Sequence, residues 1–133
     1  MGWKIGDTGF EMSLSPEVPS LIGNALPEIT ATFLKSHRLT RKQITDWAVH
    51  PGGPRILSMV EQALQLNIDT LHFSRDVLSQ YGNMSSATIF FILETLFVQA
   101  HQSHSDGLPD TCVAMAFGPG LATEIALFQQ LPL

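Results

Sequence analysis

The sequence predicts a single α/β domain spanning residues 1–133, with a mixed β-sheet, a central hydrophobic helix and flanking helices. Two observations support this prediction. Segments with apolar residues at helical spacing alternate along the chain with short apolar runs typical of strands. One stretch, Ala87–Val98, is apolar almost all the way round, with Glu94 as its only charge. Because a surface helix keeps a polar face, we expect this helix to be buried between layers.

The first part of the chain is predicted to form two short strands, or one bent strand, followed by a helix. Trp3–Ile5 and Gly9–Leu14 alternate apolar and polar residues at a period of two, and a glycine-containing turn separates them. A helix is then predicted to start with Ser15 as its cap and Pro16 at its first helical position. Apolar residues continue at helical spacing past Pro27, which should kink or split the helix.

The rest of the chain predicts alternating strands and helices around the central helix. Glycine and proline turns separate these elements and set their bounds. In chain order we expect a strand, a helix, one or two helical turns, a fully buried strand and a final strand: Ile44–His50, Arg55–Leu66, Asp76–Gln80, Thr111–Phe117 and Leu121–Leu131.

Composition and charge narrow the class of protein. Seven Lys and Arg against twelve Asp and Glu give a net charge of −5 without a basic stripe, so nucleic acid is not an expected partner. A single cysteine, Cys112, excludes an internal disulfide and indicates a reducing compartment. The apolar runs are too short to cross a bilayer, and no signal-peptide pattern is present. We therefore expect a soluble, cytoplasmic protein without membrane association.

Three polar groups stand at the ends of predicted elements, where α/β proteins usually build their sites. His50 follows a strand, Asn83 heads the central helix, and the turn Gly118–Gly120 follows another strand. Each of these is also compatible with a structural role, such as a cap on an ordinary core helix. Their combination is what points to a functional site.

Three segments carry these groups: WAVHPGGP at Trp47–Pro54, SRDVLSQYGNMSSA at Ser74–Ala87 and FGPGL at Phe117–Leu121. They resemble the C-terminal half of type III polyketide synthases, the chalcone synthase-like enzymes. Their order and spacing agree with that family through nearly the whole chain. Relatives of the ketoacyl synthase III type carry a related His and Asn, but not HPGGP around the histidine, which favours the polyketide branch.

The resemblance implies a thiolase-like fold, in which two similar α/β halves pack across a pair of central helices. It also implies a Cys–His–Asn site that condenses malonyl-CoA with an acyl-CoA starter by decarboxylative Claisen chemistry. His50 and Asn83 match the family's His and Asn. Two N–H donors there would stabilise the enolate formed when CO2 leaves. A helix starting at Pro54 would direct its positive end toward His50 and favour the neutral imidazole.

The resemblance further assigns substrate-binding positions. Those that line the polyketide cavity in the family match Met12, Ser85, Phe117, Gly118, Pro119 and Gly120. The pantetheine arm of CoA passes the positions that match Gly52, Gly53 and Pro54. Met12 stands where plant members usually have a bulky Phe, which leaves the pocket shape there open. CoA thioesters are the implied substrates, with no metal and no other cofactor.

The family's nucleophilic cysteine belongs to an N-terminal half that this sequence does not include. Cys112 cannot replace it, because its place inside an apolar strand indicates a small buried side chain. We therefore expect the chain to supply two of three catalytic side chains and to be inactive in condensation by itself. Its partners would be the N-terminal half and, through the central helix, a second copy in a homodimer or larger assembly.

Several alternatives remain open from the sequence. His101 and His104 could hold a metal, although no third ligand is evident. A hydrolase triad of Ser85 or Ser86 with His50 and Asp76 lacks the G-x-S-x-G pattern. The chain could also be a non-catalytic thiolase-like assembly partner, or half of a ketoacyl synthase III-like enzyme.

Overall fold

Helices cover both faces of a mixed three-stranded sheet in the computed structural model, which describes residues 2–7, 9–13, 15–103 and 111–129. Side chains are described for these residues except 2, 3, 10–13, 99–103 and 121. The elements are β1 Gly2–Gly6, β2 Gly9–Ser13, α1 Val18–Ser36, β3 Asp46–Val49, α2 Pro54–Leu64, α3 His72–Tyr81, α4 Thr88–Ser103, β4 Thr111–Gly118 and β5 Ala122–Gln129. The predicted α/β class is confirmed.

The main sheet has the strand order β3-β4-β5, and the hairpin β1-β2 forms a second, two-stranded sheet. β3 runs parallel to β4, with Val49 opposite Met115, whereas β5 is antiparallel to β4. Parallel strands need a long crossover, and α2, α3 and α4 supply it between β3 and β4. A single 3-10 turn at Pro119–Leu121 connects the antiparallel pair, with Gly120 at a φ of 74° that favours glycine.

Alternation along β3 and β4 divides the core into two layers, because successive strand residues point to opposite faces. Trp47 and Val49 lie on one face with buried residues of α1 and α2. Ala48 and Cys112 lie on the other face with buried residues of α3 and α4. The sheet is therefore covered on both sides, which explains why β4 is apolar almost without interruption.

The start of α1 corrects one prediction, and its length excludes the predicted split at Pro27. The helix begins at Val18 rather than at Pro16, because Ser15 accepts hydrogen bonds from the backbone N–H groups of Glu17 and Val18 in a turn ahead of it. It also continues through Pro27 without being split. Leu26 and Leu34 are fully or almost fully buried. Burial of two such side chains contributes about 3–6 kcal/mol, enough to offset the roughly 3 kcal/mol cost of an interior proline.

The helix α4 is covered on one side only, which corrects the expectation of a helix buried all round. Ile92, Leu93 and Leu96 are buried against α3 and the sheet. Phe90 and Val98 are 68% and 57% exposed, because no element among the described residues packs on their side. In the described part of the chain, no helix is long and apolar enough to cross a membrane.

Candidate functional site

A cavity of about 600 Å³ opens where β3, the loop before α4 and the β4–β5 turn meet the first turns of α1 and α2. Predicted site residues that line it are His50, Gly52, Asn83, Ser85, Phe117, Gly118 and Pro119. Side chains that the sequence reasoning did not assign to substrate binding complete the walls: Val18, Ile22, Ile56, Ser86, Ile89, Phe90, Ala116 and Glu124. The walls are mostly apolar with a few polar groups among them, as is usual for small-molecule sites.

The remaining predicted residues lie around this cavity or outside the described side chains. Gly53 and Pro54 stand at the N-terminus of α2, and Gly120 lies in the turn between β4 and β5; none of the three lines the cavity. Met12 is placed by its backbone only, in β2 opposite Trp3, so its predicted contact with the cavity concerns a side chain outside the described residues.

His50 is held by an extension of the parallel ladder. Its backbone N–H donates to the carbonyl of Met115 at 2.8 Å, one residue beyond the end of β3. Burial lowers the pKa of His50 below its ordinary value of 6.5. The imidazole is therefore neutral at pH 7, with one ring nitrogen as a donor and the other as an acceptor. The described residues make no hydrogen bond to the ring. His50 lines the cavity, so its ring is available to a ligand there.

Asn83 lies in the short loop between α3 and α4. Gly82 ends α3 with a φ of 71° and donates its N–H to Leu78 at 2.9 Å. The Asn83 side-chain oxygen, Oδ1, accepts the backbone N–H of Ser85 at 2.8 Å. The 3-10 turn at Ser85–Ala87 has Met84, not Asn83, at its N-cap position and no side-chain cap bond. The bond to Ser85 is an Asx turn, and it occupies only the oxygen of the amide. No described residue bonds to the Nδ2 group. Asn83 lines the cavity, and Nδ2 is the donor that its side chain has left.

Two polar links that sequence reasoning missed connect the elements that carry His50 and Asn83. The backbone N–H of Val49 donates to the hydroxyl of Ser74 on α3 at 3.1 Å, and both residues are fully buried. Arg75, the next residue, pairs with Glu61 of α2 at 2.6 Å. The sequence signal for these links was a serine in an otherwise buried stripe of α3 and an acidic residue on the apolar face of α2.

Cys112 lies on β4 and does not line the cavity. It is 2% exposed, and burial, together with the nearby carboxylate of Asp46, raises the pKa of its thiol to about 12. A thiol that stays protonated at neutral pH is not an activated nucleophile. The prediction that Cys112 is a small buried side chain is confirmed.

Neither alternative site is formed by residues in the described part of the chain. Asp76 is exposed on α3 and does not line the cavity that contains His50, Ser85 and Ser86, so these residues do not form a hydrolase triad there. No group of three metal-ligating side chains occurs among the residues whose side chains are described. The predicted His101 and His104 metal pair lies outside those residues.

Comparison with known proteins identifies the class. Residues 1–132 match the model of the family of chalcone and stilbene synthases, C-terminal domain. The chain therefore belongs to this family of type III polyketide synthases and corresponds to its C-terminal domain.

Individual relatives agree with this assignment. A putative chalcone synthase of Bacillus subtilis is 32% identical over 96% of this chain and 34% of its own length. The alpha-pyrone synthesis polyketide synthase-like Pks18 of Mycobacterium tuberculosis is 34% identical over 93% of this chain and 31% of its own length. The chain thus spans about a third of the length of these two curated relatives.

A solved structure agrees with the fold. PKS-I from the brown alga Ectocarpus siliculosus superposes with a TM-score of 0.89 at 31% identity, over 98% of this chain and 35% of that one. The predicted thiolase-like fold, with this chain as its C-terminal half, is confirmed.

Proposed function

We propose that this chain supplies the two hydrogen-bond donors of an oxyanion hole, His50 and Asn83, to a type III polyketide synthase. The complete enzyme would join an acyl-CoA starter to malonyl-CoA by decarboxylative Claisen condensation. The observation that carries the proposal is that both residues line one cavity, each with a donor that no described residue uses. Because His50 and Asn83 are far apart in the sequence, it is the fold that places them at one cavity.

In the proposed reaction, negative charge develops on the oxygen to which these two side chains would donate. When the malonyl thioester loses CO2, the electron pair of the broken carbon–carbon bond moves into an enolate whose oxygen carries the charge. Preorganised N–H donors stabilise such an oxygen, and each donor contributes a factor of about 10²–10³ in rate. The enolate carbon then attacks the acyl thioester on the family's cysteine, and the cysteine sulfur leaves as a thiolate. Neutral imidazole and an amide donate without adding a charge of their own.

The other walls fit a growing apolar chain attached to CoA. Val18, Ile22, Ile56 and Phe117 provide an apolar surface, and Ser85, Gly118 and Pro119 stand at the same cavity. A side chain at Gly52 would meet Ile56 at 3.3 Å, so glycine there keeps the cavity open beside His50. We assign the pantetheine arm of CoA to the passage along Gly52, Gly53 and Pro54. No metal or further cofactor enters the proposed reaction.

The proposal requires an N-terminal half that carries the nucleophile. The exposed face of α4, formed by Phe90, Phe91 and Val98, is the surface that we assign to contact with that half. The chain alone would bind substrate without forming an acyl-enzyme, because Cys112 is buried and protonated. A reduced cysteine fits the cytoplasm as the compartment of the complete synthase.

The test combines the purified chain with a separately made N-terminal half of the Bacillus subtilis relative. Condensation products are followed by mass spectrometry, and CO2 release from malonyl-CoA is measured separately. We expect both activities in the mixture, and a loss of about 10²–10³ in decarboxylation rate for His50→Ala and for Asn83→Ala. Ser79→Ala, an exposed position on α3 outside the cavity, is the matched control.

The same experiment separates this proposal from a non-catalytic assembly partner. Such a partner would form the complex, as seen by sedimentation, and the two alanine variants would leave decarboxylation unchanged. Unchanged rates in both variants, with the complex formed, would overturn the assignment of the oxyanion hole.

A further inference from the structure

The orientation of the Asn83 amide decides what this residue offers to the cavity. The two ends of the amide have nearly the same size, but Nδ2 donates hydrogen bonds and Oδ1 only accepts them. An enolate oxygen is stabilised by a donor and repelled by an acceptor. A site that stabilises an enolate must therefore keep Oδ1 turned away from it.

The backbone N–H of Ser85 holds Oδ1 in this orientation. Its bond to Oδ1 is 2.8 Å long, and since an N–H can donate only to the oxygen of the amide, the bond prevents the flipped orientation. Ser85 adopts a φ of 60°, a left-handed conformation that residues with a Cβ rarely take. Because this conformation is unfavourable by itself, the turn needs a second restraint to persist.

Thr88 provides the second restraint. Its hydroxyl oxygen, Oγ1, accepts the backbone N–H of Met84 at 2.8 Å. Thr88 is fully buried at the first position of α4, a helix anchored in the core by Ile92 and Leu96. Met84 lies between Asn83 and Ser85, so a fixed Met84 amide restrains the peptide units on which the bond from Ser85 to Asn83 depends.

We infer that Thr88 is a positioning residue for Asn83, which it reaches through the backbone of Met84 and Ser85. Thr88 does not line the cavity, so it acts without touching the substrate. The inference rests on the proposed function, since it concerns the donor that Asn83 presents to the enolate. It assigns a role in the reaction to a side chain in the core.

The test compares variants of Thr88 in the reconstituted mixture of this chain and the N-terminal half, with CO2 release from malonyl-CoA as the assay. Thr88→Val keeps the shape of the side chain and removes the hydroxyl acceptor, whereas Thr88→Ser keeps the acceptor. A misplacement of about 1 Å at a reacting centre can cost on the order of 10²-fold in rate. We expect Thr88→Val to lower kcat roughly 10- to 100-fold with KM changed less than about threefold, and Thr88→Ser to retain kcat within about threefold.

A double-mutant cycle with Asn83→Ala separates positioning from a general loss of structure. If Thr88 acts through Asn83, Thr88→Val should have no further effect on kcat once Asn83 is alanine. Thermal unfolding followed by circular dichroism establishes that each variant is folded. Thr88→Ala, which also lacks the hydroxyl and occupies less space, takes the place of Thr88→Val if the latter does not fold.

Two outcomes would contradict the inference about Thr88, and one would contradict the proposed function. A Thr88→Val enzyme as fast as wild type, or one whose loss persists at full size in the Asn83→Ala background, would overturn the inference about Thr88. An Asn83→Ala enzyme with unchanged decarboxylation would instead overturn the proposed function itself.

Discussion

The backbone N–H of Val49 donates to the hydroxyl of Ser74 at 3.1 Å, and this bond joins the strand before His50 to the helix before Asn83. β3 is an edge strand that pairs with β4 on one side only. The N–H of Val49 therefore has no ladder partner on its open side, and a side chain of α3 supplies one. Since neither residue is exposed, water cannot replace this bond.

Replacement of Ser74 by alanine should destabilise the chain. The change leaves the N–H of Val49 buried without a partner, which costs about 1–3 kcal/mol. The measurement is the free energy of unfolding from urea titration. Ser79→Ala on the same helix is exposed and should stay within about 0.5 kcal/mol of wild type. Equal stability of the Ser74 and Ser79 variants would contradict the role of this hydroxyl.

Cys112 should be unreactive in the folded chain. Its burial and a thiol pKa of about 12 predict negligible alkylation by iodoacetamide at neutral pH, and rapid alkylation once the chain is unfolded in urea. Mass spectrometry of the alkylated chain measures both states. The chain alone should also form no condensation product; a product that disappears in Cys112→Ala would show that this thiol is a nucleophile after all.

The depressed pKa of His50 predicts a pH dependence of stability. Burial holds this pKa below 6.5, so the unfolded chain binds a proton at His50 more readily than the folded chain does. The contribution of neutral His50 to stability is present above about pH 6.5 and is lost as the pH falls below that value. Urea titrations at several pH values should show the wild type losing stability relative to His50→Gln on acidification. A stability difference independent of pH would refute the burial argument.

The exposed residues of α4 predict self-association of the chain when its N-terminal half is absent. Phe90, Phe91, Glu94 and Val98 are exposed and share one face, because residues three and four apart are neighbours on a helix. Contiguous apolar patches of this kind are rarely left uncovered on monomers. We expect sedimentation at micromolar concentration to show a dimer or larger species.

A pair of charge substitutions tests this surface. Phe91→Lys with Val98→Lys should shift the chain toward the monomer, whereas Gln62→Lys, exposed on α2, should leave its assembly unchanged. A wild-type chain that sediments as a monomer would show that this face does not drive association.

Much of this architecture could be predicted from sequence because it depends on local pattern. Apolar runs and turn residues located β3 and β4, and glycines and prolines located the start of α2. The burial of Cys112 followed from its place in an apolar strand, and the polar ends of the elements, His50 and Asn83, marked the candidate site. Each of these predictions depends only on residues that are close to one another along the chain.

Only the tertiary structure decided which surfaces meet. It left one face of α4 open, because coverage depends on elements distant in sequence and not on the helix's own periodicity. It kept α1 intact through Pro27, because packing against α2 outweighs a local preference. It also gave Ser74 and Thr88 their partners, since the direction of a hydroxyl's hydrogen bond is set by the folded surroundings rather than by residue type.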